Sequence, residues 1–213
     1  KPTYISTCPH PDGLGETKAC PYCGKTCGHG NIDQETGFCK DCGYQVYKAK
    51  VDETMKSTFQ EAMDAAHAGQ TVTLLADDSL DRDLTLNKAI TLNINGYTLN
   101  TGTFTVQAPL TICGGGIIHS AFYIHKSVTV QETTLQADKG WVKEGGSLCI
   151  EQGATVTLVS VFQGGSLELK QGTIGRLYVE DGGKASLSSG TVTQNLEVQG
   201  GNLLSILAEG KDI

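Results

Sequence analysis

The sequence predicts a mainly β protein: a right-handed parallel β-helix with three strands per turn and about seven turns, preceded by a capping helix and two small cysteine-rich modules. Three observations predict this fold. Short alternating strands recur every 18–20 residues from position 72 onward, glycine pairs recur between them, and six of the eight cysteines lie in the first 52 residues. A short fixed period is typical of a solenoid, in which inward side chains stack in columns.

The cysteine-rich region, residues 1–50, contains a tandem repeat of 19 residues with the pattern C-x-H-x9-C-x2-C. Its possible ligands are Cys8, His10, Cys20 and Cys23 in the first unit (8–23) and Cys27, His29, Cys39 and Cys42 in the second (27–42). Three thiolates and one imidazole form a tetrahedral zinc set with no position open for a catalytic water. Because each unit has few apolar residues, metal binding must supply its folding energy. We expect two structural Zn²⁺ sites.

The cysteines admit two other interpretations. Disulfides, such as one between Cys20 and Cys23, would not require a histidine at the same offset in both units. A nucleic-acid-binding zinc ribbon would need excess positive charge, but residues 1–52 contain six Lys and six acidic residues and the whole chain carries −7. Each Cys3His–zinc unit adds about one further negative charge, so we expect no nucleic-acid partner.

A helix is predicted over residues 54–68, within a capping segment at 51–70. One apolar stripe at helical spacing indicates it, formed by Met55, Phe59, Ala62, Met63 and Ala66. Asp52 or Thr54 is the expected N-cap, and Gly69 suits the left-handed position after the helix. A helix here would cover the otherwise unpaired first turn of the solenoid.

The solenoid is predicted over residues 71–213. Its first strands begin at Val72, Ile90, Leu110, Val128, Leu148, Leu167 and Ala185, with a partial unit from Leu203. Its third strands align at 84–86, 104–106, 122–124, 140–142, 159–161, 177–179 and 196–198, and short middle strands lie between the two sets. A β-sandwich, which also uses short alternating strands, is the alternative fold.

Glycines punctuate the predicted corners in two columns. Pairs follow the last four third strands, at 145–146, 164–165, 182–183 and 200–201, and single glycines follow the first strands at Gly153, Gly172 and Gly190. Corners require positive φ, which glycine adopts at little cost. A β-sandwich would not require glycines aligned in this way, so the columns favour the solenoid.

The segments TVTLLAD at 71–77 and KAITLNINGYTL at 88–99 resemble the opening of pectate-lyase-like β-helix repeats. Such repeats occur in large surface proteins of Gram-positive gut and oral bacteria, where similar Cys-x-His and Cys-x2-Cys units often precede a helix and solenoid. The resemblance implies an exported protein, secreted or at the cell surface, with further domains in its parent chain. Fold resemblance alone implies no activity.

The catalytic patterns of this fold do not transfer onto the chain. Pectate-lyase-like enzymes cluster Asp ligands for Ca²⁺ beside a basic residue, whereas the chain has only two arginines, Arg82 and Arg176, and its acidic residues are dispersed. The acidic cluster of Asp77, Asp78, Asp81 and Asp83 lacks a glycine-punctuated ligand spacing. We therefore predict a non-catalytic structural or binding module, with a polysaccharide lyase or hydrolase as the alternative.

One column of outward residues is a candidate contact surface. The middle positions of the third strands are Thr85, Thr105, Tyr123, Trp141, Ser160, Tyr178 and Glu197. Together with the loop residues His125 and Lys143, the aromatic residues Tyr123, Trp141 and Tyr178 could contact a carbohydrate or a surface protein. A stabilising aromatic ladder, or a packing face for another domain, is the alternative.

Cys113 and Cys149 lie in different columns and should be free thiols, while Glu151 and Lys170 occupy equivalent positions and should form an ion pair. No apolar stretch reaches the roughly 18 residues of a membrane span, so no membrane insertion is expected. The turn that begins at 203 has an apolar edge, so we expect the β-helix to continue in a longer parent chain or to self-associate there.

Overall fold

The structure is a computed structural model that describes residues 27–80, 82–200 and 202–206, the last of these by their backbone. The elements in chain order are β1 (Ala49–Val51), β2 (Thr54–Lys56), α1 (Phe59–Ala65), β3 (Thr71–Leu74), β4 (Asp78–Ser79), β5 (Leu84–Leu86), β6 (Ile90–Asn93), β7 (Thr98–Val106), β8 (Leu110–Cys113), β9 (Ile117–Ile124), β10 (Ser127–Val130), β11 (Thr134–Gln136), β12 (Gly140–Val142), β13 (Ser147–Ile150), β14 (Thr155–Val161), β15 (Ser166–Leu169), β16 (Thr173–Val179), β17 (Lys184–Leu187), β18 (Thr191–Val198) and β19 (Asn202–Ile206).

Two sheets form a parallel β-solenoid of about seven turns. The first sheet has ten strands in the order β19-β17-β15-β13-β10-β8-β6-β3-β1-β2. The second has nine strands, along the path β18-β16-β14-β11-β9-β7-β4, with β12 and β5 beside the same path. Every turn contributes one short strand to the first sheet and a longer segment to the second. This arrangement confirms the predicted parallel solenoid and leaves no place for a sandwich of antiparallel sheets.

The predicted register holds from the second turn onward and shifts at the first. Ile90 pairs with Leu110, and the later predicted first-strand positions pair in the same column. Val72, however, pairs with Leu92 instead of Ile90. A shift of two residues keeps every side chain on its original face, so Val72 still points inward and is buried.

The prediction of three strands per turn is correct only for some turns. In the first and fourth turns the middle and third strands are separate, as β4 and β5 and as β11 and β12. In the other turns they merge into one bent strand, with register irregularities at some bends. In β14 the inward residues Val156 and Val159 are three residues apart, so the strand bends between them and keeps its ladder.

The core is one continuous hydrophobic cluster that runs the length of the solenoid. Inward residues of successive turns stack about 4.8 Å apart, and the rings of Phe104 and Phe122 stack with centroids 5.4 Å apart. At the last described turn, the core positions Leu196 and Val198 are 39% and 38% exposed. Their exposure follows from the position of β18, which has no further strand beside it in the described residues.

The beginning of the solenoid differs from the prediction of a helix over 54–68. The helix α1 has seven residues, and the preceding segment forms the antiparallel hairpin β1–β2, whose strand β1 pairs with the edge of β3. Thr58 is the N-cap: its hydroxyl accepts a hydrogen bond from the Glu61 N–H. Asp52, an expected cap, instead accepts a hydrogen bond from the Thr71 N–H at 3.0 Å. The alternation of Ala49 and Val51 outcompetes the start of the helical stripe because both side chains are buried.

Two charged side chains fix α1 to the first turns. The Asp78 carboxylate accepts hydrogen bonds from the Phe59 N–H at 2.9 Å and from the Lys48 ammonium at 3.2 Å. At the other end, the Lys88 ammonium donates to the carbonyl oxygens of Met63, Asp64 and Ala66, which helical bonds leave unpaired. No helix in the described part of the chain is long and apolar enough to cross a bilayer.

The glycine pairs occupy corners, as predicted, and their two members have different roles. The first glycine has positive φ, for example +73° at Gly164. At the second glycine of the pairs 145–146, 164–165 and 182–183, a Cβ would collide with the preceding turn: on Gly165 it would lie 2.6 Å from the carbonyl oxygen of Val142. In the other column only Gly153 has positive φ, while Gly172 and Gly190 lie against the side chains of the turn before.

Candidate metal centre and exposed aromatic face

Four predicted ligands converge at one point. One ligand atom from each of Cys27, His29, Cys39 and Cys42 lies within 4.8 Å of all the others. The sulfurs of Cys27 and Cys39 are 3.4 Å apart, and the Cys42 sulfur is 3.3 Å from His29 Nδ1. A tetrahedral ion with metal–sulfur bonds of about 2.3 Å would separate two sulfurs by about 3.8 Å. The cluster could therefore hold a metal ion, and it is the one such group among the described residues.

The backbone of residues 27–47, here called the knuckle, brings these ligands together. Two isolated antiparallel bridges, Ile32 with Cys39 and Phe38 with Gln45, fold the segment onto itself. A turn between them is held by the Asp33 carboxylate, which accepts hydrogen bonds from the amides of Glu35 and Thr36. These contacts carry Cys39 back towards Cys27.

A second turn directs Cys39 and Cys42 towards the same point. The Gly43 N–H donates to the Cys39 carbonyl at 2.7 Å, and Gly43 has a φ of +77°. This geometry is the reason for a glycine after the closing cysteine. His29 also has positive φ, +49°, and its ring lies 5.1 Å from that of Tyr44.

The surroundings of Cys39 favour its thiolate. Burial is the largest influence on this pKa and raises it. Hydrogen bonds to the His29 ring, the Asp41 amide, the Cys27 thiol and the Cys42 amide together outweigh burial, and the pKa falls from 9.0 to about 6. The thiolate is the form that ligates metal, so these contacts favour the form of Cys39 that a metal ion requires.

The pKa of the neighbouring Cys27 shifts in the opposite direction, upward. Its largest single influence is the His29 N–H, 3.4 Å away, which lowers the pKa. The hydrogen bond to Cys39, burial and the hydrogen bond to Cys42 raise it more, to about 11. Binding of a cation at the shared position would displace this proton, as thiolate coordination requires.

The first predicted unit, with Cys8, His10, Cys20 and Cys23, lies outside the described residues. Of the other cysteines, Cys113 and Cys149 are free, as predicted. They also lie in different columns, since Cys113 pairs with Asn93 whereas Cys149 pairs with Thr129 and Glu168.

The aromatic column is aligned as the sequence predicts. Tyr123 pairs with Trp141, Trp141 with Ser160, and Ser160 with Tyr178. The rings of Tyr123 and Trp141 meet edge to face, with centroids 4.9 Å apart. Tyr178 lies two turns beyond Trp141, about 10 Å away. The structure therefore joins Tyr123 to Trp141 and leaves Tyr178 separate.

Phe162 belongs to this surface and was missed by the sequence analysis. Its ring lies 5.7 Å from that of Trp141, also edge to face. The Lys143 ammonium lies 4.2 Å from the centroid of the Trp141 ring and 3.7 Å from that of Phe162. Phe162 follows a third strand at the position that His125 and Lys143 hold in earlier turns. A comparison of the residues that directly follow the third strands, in addition to those at the middle of these strands, would have found Phe162.

Among the dispersed acidic residues, Glu151 has two structural partners. The Glu151 carboxylate accepts a hydrogen bond from the Gln131 amide at 2.6 Å and lies 3.3 Å from the Lys170 ammonium. These two contacts, in that order, lower the pKa of Glu151. The predicted ion pair between Glu151 and Lys170 is confirmed, and Lys170 also approaches Glu168 at 3.6 Å.

The acidic cluster of the first turn does not converge on one point in the described residues. Asp77 accepts a hydrogen bond from the Thr98 N–H, Asp83 accepts one from the Thr103 N–H, and Asp78 binds α1 and Lys48. Asp81 lies outside the described residues. Asp77 and Asp83 therefore connect the first turn to the second, and Asp78 holds α1.

A polar groove of about 710 Å³ lies along the bends of the second sheet. His119, Asp138 and Arg176 line it, together with the amides of Asn100 and Gln136. Arg176 is exposed and forms no hydrogen bond or ion pair through its side chain with any described residue. The sequence analysis did not bring these residues together, because they come from different turns and from bends whose length varies.

No family model, curated protein or solved structure matches this chain.

Proposed function

We propose that this chain is a non-catalytic structural or binding module of a secreted or cell-surface protein, in which zinc has a structural role. The convergence of Cys27, His29, Cys39 and Cys42 carries the proposal. Four protein ligands complete a tetrahedral zinc ion, so the ion would stabilise the knuckle and leave no site for substrate. The unit of Cys8, His10, Cys20 and Cys23 would hold a second ion in the same way.

The rest of the proposal concerns the solenoid. It would be right-handed, with α1 as the cap of its first turn, and would present the face around Tyr123 and Trp141 to a carbohydrate or a protein. The side chains of Tyr123 and Trp141 are partly exposed, which supports a contact role. The resemblance of residues 71–99 to repeats of Gram-positive surface proteins supports an extracellular location.

Metal analysis of the purified full chain tests the structural role of zinc. We expect two zinc ions per chain, and Cys39→Ser should remove one of them. Cys113→Ser is the matched control, because Cys113 is a free thiol of the solenoid. A chain that contains no zinc when purified without chelators, or whose knuckle cysteines are oxidised when thiols are counted by mass spectrometry, would contradict the proposal.

A glycan array tests carbohydrate binding. Trp141→Ala should abolish any signal of the wild-type chain, whereas Thr105→Ala, in the same outward column two turns away, should preserve it. A signal unchanged by Trp141→Ala would exclude this surface as a sugar site.

One observation favours a second candidate, a polysaccharide lyase or hydrolase: the groove that brings His119, Asp138 and Arg176 to one surface. Arg176, free of ion pairs in the described residues, could contact an acidic sugar. Incubation with polygalacturonate, followed by assays for unsaturated and reducing ends, tests this candidate. Activity should disappear in Arg176→Gln and survive in Arg82→Gln, and a chain that releases no products would refute it.

A further inference from the structure

The last described turns carry a second feature beside the aromatic face. An open cavity of about 660 Å³ is lined by Lys143, Glu144, Phe162, Glu180 and Asp181, together with His125 and Gln163. We call this cavity the acidic cleft. We propose that it binds a basic side chain, arginine or lysine, of a partner protein. The inference rests on the proposed binding function and specifies the chemistry of the partner.

The aromatic wall of the cleft already holds a cation. The Lys143 ammonium lies 3.7 Å from the centroid of the Phe162 ring and 4.2 Å from that of Trp141. Ammonium and guanidinium groups are attracted to aromatic faces at such distances. A residue of the chain itself therefore demonstrates which kind of group these two rings attract.

The opposite side of the cleft offers unpaired negative charge. Glu144, Glu180 and Asp181 form no ion pair or side-chain hydrogen bond with any described residue. Three carboxylates against the single ammonium of Lys143 give the cleft a net negative charge. Elsewhere on the solenoid, Glu151 has both a lysine and an amide partner, whereas the three carboxylates of the cleft remain available to a cation.

The order of the turns suits a guanidinium group. Backbone hydrogen bonds place Lys143, Phe162 and Glu180 on successive turns, since the Phe162 N–H donates to the Val142 carbonyl and the Glu180 N–H to that of Val161. Successive turns are about 4.8 Å apart. A guanidinium could stack on Phe162 while its N–H groups pair with the Glu180 and Asp181 carboxylates, a combination that arginine favours.

An anionic ligand fits the cleft poorly. The three carboxylates would repel it, and Lys143 is already engaged by the two rings. The same lysine, together with Tyr123 and Phe162, surrounds Trp141. These contacts reduce the ring surface that a sugar could stack upon, so the cleft favours a basic partner over a carbohydrate.

Titration with tetra-arginine amide tests the proposal. Affinity is measured by calorimetry, and the fluorescence of Trp141, the chain's only tryptophan, reports binding beside the cleft. Glu180→Gln with Asp181→Asn should weaken binding by about fivefold or more, because two charge pairs are lost. Lys143→Met should strengthen it about threefold, because the internal competitor for the rings is removed.

The double variant Glu35→Gln with Glu53→Gln is the matched control. It removes the same charge from two exposed positions outside the cleft and should change the affinity less than about twofold. Thermal melting and zinc content must equal those of the wild-type chain in every variant. Equal losses in the two double variants would show general attraction to an acidic chain and overturn the proposal. Unchanged or weaker binding in Lys143→Met, or tighter binding of tetraglutamate, would also overturn it.

The glycan array separates this inference from the proposed function. Glycan binding that depends on Trp141, without peptide binding that depends on the cleft, would overturn the basic partner and preserve the binding module. Peptide binding that follows the expected order of variants supports the cleft, whether or not a glycan binds.

Discussion

The knuckle and the solenoid differ in what their interiors are made of. In the knuckle, the buried cluster consists of Cys39 and Cys42, with Cys27, Ile32, Tyr44 and Val46 packed against it. In the solenoid, aliphatic and aromatic residues form one cluster from Ala49 to Ala185. The ligand atoms are thus the core of the first region. Stability in the second is distributed over many turns, as expected where each repeat contacts only its neighbours.

The largest expected effect is that of metal removal. Structural zinc contributes on the order of 10 kcal/mol to such a unit, and the knuckle has no other core to replace it. Treatment with a strong chelator should make the hydrogen-bonded amides of Asp33, Cys39 and Val46 exchange rapidly with solvent. Amides of the central strands should keep their protection. Hydrogen exchange followed by mass spectrometry measures both regions, and simultaneous loss of protection would abolish the distinction between them.

A core substitution in the solenoid should have the opposite pattern. Phe104 is fully buried and stacks on Phe122, so Phe104→Ala should lower the free energy of unfolding by about 3–5 kcal/mol. Zinc content should not change. Phe38→Ala in the knuckle, where the side chain is 40% exposed, is the control and should cost less than about 1 kcal/mol. Denaturant unfolding monitored by circular dichroism provides the comparison.

Substitution of one glycine in the knuckle and one in the solenoid compares how well the two backbones tolerate a side chain. Gly37 in the knuckle and Gly182 in the solenoid have φ of +74° and +73°, a region that costs an alanine about 1–2 kcal/mol. At Gly182 a Cβ would meet the flexible Gln163 side chain, whereas at Gly37 it would meet the carbonyl oxygen of Tyr47. Gly182→Ala should therefore lower only the melting temperature, and Gly37→Ala should weaken zinc affinity more than tenfold. Equal effects on zinc affinity would contradict this difference.

The smallest expected effect concerns the surface of the solenoid. The contacts with Gln131 and Lys170 lower the pKa of Glu151 in the folded chain below its ordinary 4.5. Its contribution to stability is therefore present above pH 4.5 and is lost as the pH falls through the lower, folded value. Glu151→Gln should reduce the melting temperature slightly at neutral pH and not at all in strong acid. Melting curves from neutral to acidic pH test this, with Glu144→Gln, a carboxylate without such contacts, as the control.

Much of the solenoid was predictable because its period repeats. The third strands and the outward column from Thr85 to Glu197 pair as predicted, since each alternating segment must place apolar residues inward. The ligand set of Cys27, His29, Cys39 and Cys42 followed from the exact repetition of its spacing.

What the sequence did not reveal depends on tertiary contacts. The hairpin β1–β2 replaced the first turn of the predicted helix because the pairing of β1 with β3 buries Ala49 and Val51. The stabilisation from this burial cannot be read from the helical spacing of apolar residues. In the second sheet the middle and third strands merge in some turns and stay separate in others, a variation that the repeat does not predict. The groove around Arg176 depends on the same variation. The contact between the Lys143 ammonium and the Phe162 ring depends on the direction of the two side chains, which lie on successive turns.

The hairpin has a further consequence for self-assembly. In the first sheet every strand from β3 to β19 runs in one direction, β1 runs antiparallel to β3, and β2 runs antiparallel to β1. The outermost strand β2 therefore has the direction of the solenoid strands, but it is only three residues long. So short an edge strand is a poor template for the coaxial stacking of parallel turns. The two ends of the first sheet are therefore chemically unequal, and head-to-tail fibre growth is disfavoured at the end that the hairpin occupies.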